Sequence, residues 1–159
     1  MRDGKQSMYE GGLKVPALVS WPGRIAAGSV SGQINLTMDV LPTLAELVGA
    51  SLPESIDGRS FLPTLLGKEM PVTDRPLYFV RREGGTRYGG KAYHALRRGD
   101  WKLLQNSPYQ AMELYHLKED PLEQTNRIER DPEVYRELHR LLRLQIQESG
   151  KVPWQRPDE

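Results

Sequence analysis

The stretch YHALRRGDWKLLQ, residues 93–105, has the composition of a β-sheet and decides how the second half of the chain folds. Aromatic and aliphatic side chains recur in it, as they do in strands that pack against a core. Two similar runs flank it, RPLYFVRR at residues 75–82 and MELYHLKED at residues 112–120, and turn-forming segments separate the three. This arrangement predicts an antiparallel meander.

One amphipathic helix is predicted to follow the strands, over about residues 132–148. Pro132 suits the first helical position, Asp131 is a candidate cap, and Gly150 ends the pattern. The apolar residues recur at helical spacing, with arginines on the opposite face. They are Val134, Tyr135, Leu138, Leu141, Leu142 and Ile146. The second half is therefore predicted to be a small sheet covered by a helix.

The first half has few strand-like segments and one very apolar helix. Residues 15–21 form a short apolar run between turn signals, which predicts a buried strand. Residues 38–48 predict a helix with Pro42 in its first turn and Gly49 at its end. A shorter helical turn is expected at residues 61–66. The longer helix is apolar enough to need a larger partner, which indicates a piece of a larger protein.

The composition of the 159-residue chain excludes several classes of function. Cysteine is absent, so disulfides, thiolate metal sites and cysteine nucleophiles are excluded. The net charge of +1 gives no general affinity for nucleic acid, and no nucleic-acid-binding motif is recognised. No apolar run approaches the ~20 residues of a membrane-spanning helix, and no signal peptide is visible, so the compartment is undetermined.

Five motifs occur in the order seen in the C-terminal portion of sulfatases, and the chain resembles arylsulfatase-like members of the alkaline-phosphatase superfamily over nearly its whole length. The motifs are GKQSMYEGGLKVPALVSWPGRI, TMDVLPTLAELVGA, IDGRSFLPTLLG, LRRGDWKLL and ELYHLKEDPLEQTN. The resemblance implies an α/β protein, here an α+β fragment. Residues 1–70 would form the edge of the alkaline-phosphatase-like catalytic α/β domain, and residues 71–159 a C-terminal subdomain of antiparallel strands and a helix.

The resemblance implies that the intact enzyme hydrolyses sulfate esters, R–O–SO₃⁻ to R–OH and sulfate. In the family, an upstream formylglycine is the nucleophile and upstream residues bind Ca²⁺. This chain has neither that motif nor those ligands, so none of its residues is expected to bind a metal. The missing N-terminal catalytic part is then its necessary partner, and the chain alone is expected to be inactive. A periplasmic or secreted location is plausible for the family.

Lys5 is the candidate catalytic residue, because it matches the lysine that lies beside the sulfate group in the family. A fixed ammonium stabilises the negative charge that builds on the leaving oxygen as the S–O bond breaks. Lysine is a compact charge with three donors, which suits a tetrahedral oxyanion. Tyr9 and Glu10 are expected to fix the loop by hydrogen bonds, and Gly11 and Gly12 to let the backbone turn tightly.

Further candidates come from the basic and aromatic segment 75–102. It contains Arg75, Arg81, Arg82, Arg87, Lys91, Arg97, Arg98 and Lys102, but only two acids, Glu83 and Asp100. In sulfatases the corresponding sheet and loops border the active-site cleft, so Arg87, Tyr88 and His94 are candidate contacts for a polyanionic substrate. This favours a sulfated carbohydrate over a small aryl ester. The alternative is a solvated sheet face with the aromatic residues in the core.

Two other classes of function stay open. A phosphonate or phosphodiester hydrolase of the same superfamily would share the fold, and the upstream nucleophile and metal ligands would distinguish it from a sulfatase. The chain could also be a non-catalytic binding or structural module. Turnover of an aryl sulfate would separate an enzyme from such a module.

Overall fold

The structure is a computed structural model that describes residues 1–68, 70, 74–82 and 91–150. It divides into two compact units, residues 1–15 with residues 74–159, and residues 16–73. The boundary expected near residue 70 lies close to the second junction. Residues 1–15, however, belong to the unit that contains the sheet. The assignment of residues 1–70 to a catalytic domain stays a prediction.

Four helices and four strands occur in the part of the chain that the structure describes. The helices are α1 (Glu10–Leu13), α2 (Val40–Val48), α3 (Leu62–Leu65) and α4 (Pro132–Ser149), with a 3-10 turn at Thr37–Asp39. The strands are β1 (Leu77–Arg82), β2 (Ala92–Arg98), β3 (Trp101–Gln105) and β4 (Glu113–His116). None of these helices combines the length and the apolar character needed to cross a membrane.

The strands form one antiparallel sheet in the order β1-β2-β3-β4, so the predicted meander is confirmed. The stretch 93–105 supplies most of two strands rather than one. Gly99 has a φ of 57°, a left-handed conformation that glycine adopts without steric cost. The chain reverses there, and Leu96 of β2 lies opposite Leu103 of β3.

Helix α4 covers one face of the sheet. Leu138 and Leu142 of the helix are buried against Leu96, Leu103 and Leu114 of the strands. The apolar stripe predicted for the helix is confirmed, because Val134, Tyr135, Leu141 and Ile146 pack against the same cluster. Their removal from water is the main favourable term that holds the helix on the sheet.

The cap predicted for α4 is wrong in one respect. Asp131 occupies the N-cap position, but its side chain makes no hydrogen bond to a helix amide. Its Oδ2 atom instead accepts a hydrogen bond of 2.7 Å from Nε of Arg127. The arginine competes for the carboxylate because an ionised donor makes a stronger hydrogen bond than a backbone amide does.

The unit of residues 16–73 contains α2 and α3. The predicted helix, with its first-turn proline, and the shorter helical turn are confirmed. Gly49 ends α2 in the left-handed conformation, with a φ of 67°. Asp39 fixes the entry to α2, because its carboxylate accepts hydrogen bonds of 2.8 Å from the backbone N–H groups of Leu36 and Arg59.

The buried strand predicted at residues 15–21 is wrong. The segment has no regular secondary structure, and Val15, Leu18 and Val19 are exposed. A strand is stable only when a neighbour satisfies its backbone hydrogen bonds and covers its side chains. No strand in the described ranges pairs with this segment, so its apolar composition alone does not make it a strand.

Candidate functional site

The N-terminal loop, residues 1–13, packs on the face of the sheet opposite α4. Met8 and Tyr9 are buried in a core cluster with Ala95 of β2 and Leu104 of β3. These two loop side chains are only 3% and 5% exposed. The loop therefore cannot leave the sheet without exposing apolar surface to water, which is unfavourable.

Hydrogen bonds from side chains fix the middle of the loop. Oδ1 of Asn106, which follows β3, accepts hydrogen bonds from the backbone N–H of Met8 at 2.7 Å and from Oγ of Ser7 at 3.3 Å. The hydroxyl of Tyr9 donates to the carboxylate of Glu113 at 2.8 Å. Burial, reinforced by that carboxylate, raises the pKa of the Tyr9 phenol, so it stays a donor. The expected role of Tyr9 is confirmed.

Glu10 anchors the loop through the buried ion cluster, which consists of Glu10, Lys102 and Glu123. Nζ of Lys102 lies 2.9 Å from Oε1 of Glu10 and 2.8 Å from Oε1 of Glu123. Oε2 of Glu123 also accepts a hydrogen bond of 2.7 Å from the backbone N–H of Glu10. The Lys102 and Glu123 side chains are 1% and 0% exposed, so water screens their attraction little. The expectation that Glu10 fixes the loop is confirmed.

Arg2 closes the start of the loop, a role that no sequence motif indicated. Its Nη1 atom donates hydrogen bonds to the hydroxyl of Tyr115 at 2.9 Å and to the backbone oxygen of Glu123 at 2.6 Å. Its guanidinium lies 3.9 Å from the centre of the Tyr9 ring, a cation–π contact. Arg2 thus joins the loop to β4 and to the backbone of the buried ion cluster.

Within the described part of the basic segment 75–102, three of the cations form ion pairs. Lys102 is buried, Arg97 lies 3.4 Å from Glu10, and Arg98 forms ion pairs with two acids. The acidic partners of these three residues come from outside the segment and are Glu10, Asp74, Glu123 and Glu137. The segment therefore carries less unpaired positive charge than its own two acids, Glu83 and Asp100, indicated.

The two glycines of the loop are required by close packing of backbone against backbone. A Cβ atom on Gly11 would lie 2.1 Å from the backbone oxygen of Asp3, and one on Gly12 would lie 2.2 Å from that of Ser7. The tight turn expected at these glycines is wrong, because they lie in α1 and neither has a positive φ. Only a residue without a side chain lets α1 lie this close to the turn that carries Lys5.

Gly11→Ala is therefore expected to destabilise the protein by roughly 1–3 kcal/mol or more, because the backbone of the loop must shift to admit the methyl group. Urea unfolding monitored by tyrosine and tryptophan fluorescence measures this. Gly4→Ala is the matched control, since a Cβ on Gly4 meets nothing within 4 Å. Equal unfolding midpoints for the two variants would contradict the close packing.

Lys5 lies in a turn at the exposed end of the N-terminal loop. The backbone N–H of Ser7 donates to the oxygen of Gly4 at 3.1 Å, which closes the turn around Lys5. Among the residues that the structure describes, none accepts a hydrogen bond from the Lys5 ammonium. A fixed backbone thus presents an exposed cation with its donors available for an anion.

His94 lies on the other face of the sheet. Its neighbour Ala95 packs against the N-terminal loop, and successive side chains of a strand point to opposite faces. The hydroxyl of Tyr78, a residue packed beside α4, forms a hydrogen bond of 2.9 Å with Nδ1 of His94. Burial, with a contribution from the charge of Arg82, lowers the pKa of His94. The structure does not bring His94 together with Lys5, and contact of His94 with a substrate stays a prediction.

The pKa of His94 predicts how stability depends on pH. The unfolded chain has the ordinary histidine pKa of 6.5, whereas the folded protein has a lower one. Below about pH 6.5, His94 therefore binds a proton more readily in the unfolded state than in the folded state. As the pH falls, the free energy of unfolding decreases by at most about 1.4 kcal/mol per pH unit. His94→Gln is expected to lose less stability than the wild type between about pH 7.5 and about pH 5.5. Urea unfolding at both pH values measures this. An equal decrease in the free energy of unfolding for the wild type and for His94→Gln would contradict the prediction.

Arg87 and Tyr88 lie outside the described residues. The described ranges also contain no group of three His, Cys, Asp or Glu side chains that could hold a metal ion. Of the two candidates that the structure describes, Lys5 lies in an anchored and exposed position, whereas His94 is partly buried.

The chain also matches a known family over most of its length. Residues 3–151 match the family model described as N-sulphoglucosamine sulphohydrolase, C-terminal. The chain belongs to the sulfatase family. It corresponds to the C-terminal portion of sulfatases, as the motifs indicated.

Sulfatases from animals and bacteria are similar to this sulfatase chain. N-acetylgalactosamine-6-sulfatase of Canis lupus familiaris is 45% identical over 80 residues, which cover 49% of this chain and 15% of the relative. N-acetylgalactosamine-6-O-sulfatase of Bacteroides thetaiotaomicron is 32% identical, with 89% of this chain and 29% of the relative covered. The relatives named here thus extend well beyond the part that this chain matches.

Solved structures share the fold. The structure of BT4656 in complex with its substrate D-glucosamine-2-N,6-O-disulfate has a TM-score of 0.73 and 27% identity, covering 91% of this chain and 30% of that one. A phosphonate monoester hydrolase of Agrobacterium radiobacter, at 24% identity and a TM-score of 0.50, shows likeness of fold alone. This sulfatase chain therefore has the alkaline-phosphatase-like fold predicted for it.

Proposed function

We propose that the chain is the C-terminal part of an enzyme that hydrolyses the sulfate ester of a sulfated carbohydrate, and that Lys5 binds the sulfate group. The observation that carries the proposal is the exposed ammonium of Lys5 on a loop anchored to the sheet. The membership of the chain in the sulfatase family supplies the reaction class. The names of the relatives, which act on N-acetylgalactosamine 6-sulfate and on a glucosamine disulfate, support a carbohydrate substrate.

The anchoring of the loop explains why Lys5 suits this role. A charged donor accelerates a reaction only if it is already in place when negative charge develops, so that no reorganisation is needed. Met8, Tyr9 and Glu10, which follow Lys5 closely, are buried and hydrogen-bonded to the sheet. The ammonium would then meet a sulfate oxygen without ordering the loop at the same time, and its charge would stabilise the leaving oxygen.

The remaining chemistry belongs to the part of the enzyme outside this chain. Formylglycine would supply the nucleophile and Ca²⁺ would hold the sulfate, as in the family. The residues that the structure describes do not fit either group, because the sequence has no Cys- or Ser-x-Pro-x-Arg motif and no described set of His, Cys, Asp or Glu side chains could hold the ion. The contribution that we propose for Lys5 is to bind the sulfate group and to stabilise negative charge.

The apolar face of α2 supports a place within a larger domain. Val40, Leu41, Leu44, Leu47 and Val48 are between 41% and 73% exposed. Such a continuous apolar face is unfavourable in water and marks a surface that another element covers. We infer that the N-terminal catalytic part of the enzyme covers it, in line with the proposed assignment of residues 1–70.

The test is the release of sulfate by the complete enzyme from N-acetylgalactosamine 6-sulfate and glucosamine 6-sulfate, compared with an aryl sulfate and a phenylphosphonate monoester. We expect turnover of a sulfated sugar to exceed that of both comparison substrates. The 159-residue chain alone is the control and should release no sulfate. Turnover of the phosphonate ester without any sulfate ester would overturn the proposal in favour of a phosphonate hydrolase.

A further inference from the structure

Arg81 of β1 reaches across to the turn that carries Lys5. Its Nη1 atom donates a hydrogen bond of 2.6 Å to the backbone oxygen of Gln6, the residue directly after Lys5. The two partners are 75 positions apart in sequence. A charged donor on a carbonyl makes one of the stronger hydrogen bonds in proteins. Arg81 therefore ties the backbone beside Lys5 to the rigid sheet.

The backbone that Arg81 holds is one that the chain would not adopt by itself. Gln6 has a φ of 82°, a left-handed conformation that costs energy for a residue with a side chain. Such a conformation persists only when surrounding contacts enforce it. The hydrogen bond from Arg81 is such a contact, and it acts on the carbonyl whose direction this φ helps to set.

The guanidinium of Arg81 is itself held in place. Its central carbon lies 4.6 Å from the centre of the Tyr93 ring, in a cation–π contact. Tyr93 belongs to β2 and packs against the core cluster that contains Met8 and Tyr9 of the N-terminal loop. The planar group thus has a fixed support beneath it, and an arginine needs little further ordering to make its hydrogen bond.

We propose that Arg81 is a positioning residue, which holds Lys5 in its catalytic place through the backbone oxygen of Gln6. This inference rests on the proposed role of Lys5. Arg81 acts on the direction of the Lys5 side chain and not on the sulfate itself. A shift of about 1 Å in a catalytic group is enough to cost as much as ~100-fold in rate.

Steady-state kinetics of the complete enzyme on a sulfated monosaccharide test the proposal. Arg81→Gln is expected to lower kcat roughly 10- to 100-fold with little change in KM. The reason is that a displaced Lys5 ammonium mainly loses its interaction with the charge that develops in the transition state. Arg82→Gln is the matched control. Arg82 is the next residue of β1, but its side chain points to the other face and donates to Ser149 at 3.2 Å. It should keep the wild-type kcat.

A double-mutant cycle with Lys5→Ala shows through which residue Arg81 acts. If Arg81 works through Lys5, Arg81→Gln has almost no further effect on kcat once Lys5 is alanine. Arg81→Lys keeps one donor for the Gln6 oxygen and should restore part of kcat. The urea midpoints of Arg81→Gln and Arg82→Gln should be similar, which separates positioning from general destabilisation.

The outcomes separate this inference from the proposed function. A large loss with Lys5→Ala but none with Arg81→Gln overturns the inference and leaves the role of Lys5 standing. Fully additive losses in the double variant also overturn it, because Arg81 would then act elsewhere. No loss with Lys5→Ala overturns the proposed role of Lys5, and the inference with it.

Discussion

Lys5→Ala in the complete enzyme is expected to lower kcat by about 100-fold or more, the scale of losing one preorganised charged donor. The structure explains why no other group would replace it. The loop is anchored on both sides of Lys5, by Arg2 before it and by Arg81 at Gln6 after it, so a neighbouring residue cannot move into the position of Lys5. Initial rates of sulfate release at saturating substrate measure the effect.

Two further variants sharpen that experiment. Lys5→Arg keeps the charge but replaces a compact ammonium with a planar guanidinium, so we expect kcat between those of the wild type and the alanine variant. Lys118→Ala removes the same charge from an exposed turn after β4 and should leave kcat unchanged. Equal rates for Lys5→Ala and Lys118→Ala would refute the assignment of Lys5.

Lys102→Met is expected to lower the free energy of unfolding by about 3–5 kcal/mol, because it leaves two carboxylates buried without their shared cation. Methionine fills much of the volume of the lysine stem, so the loss reports charge and not a cavity. Glu10 keeps its ion pair with Arg97 at 3.4 Å, but Glu123 loses its cation while its side chain is 0% exposed. Urea unfolding at neutral pH measures the loss.

The matched control for Lys102→Met is Arg136→Met on the outer face of α4. Arg136 also forms an ion pair, 2.7 Å from Glu133, but both side chains are more than half exposed. An exposed pair of this kind contributes about 1 kcal/mol or less. Similar losses for the two variants would mean that burial of the cluster does not matter.

Local patterns were sufficient for the meander and for helices α2, α3 and α4, but not for the short helix α1. Helix α4 was predicted from the spacing of its leucines, because one turn of a helix brings residues three and four apart onto one face whatever surrounds them. The meander was predicted because its strands are consecutive in sequence and separated by turn residues. The run at residues 15–21 shows the limit of such patterns. A strand needs a neighbour, and no property of the run itself reveals that none of the described strands pairs with it.

The arrangement of the candidate site depends on distant contacts. Lys102 meets Glu10 across 92 positions, and Arg81 meets Gln6 across 75. The isolated charge of Lys102 between apolar neighbours in β3 was a usable signal, since a charge in a buried strand must find a partner. It did not indicate which acid that partner would be.

By itself, the sequence determined helices α2, α3 and α4, the antiparallel order of the strands, the sulfatase family and the choice of Lys5 as the candidate catalytic residue. These depend on periodicity and on motifs, which are properties of contiguous residues. Only the tertiary structure decided that Gly11 is needed for close packing, that Lys102 is buried and that His94 lies on the face away from Lys5. Each of these depends on which atoms meet in space, and burial, charge pairing and steric contact arise only when distant segments fold together.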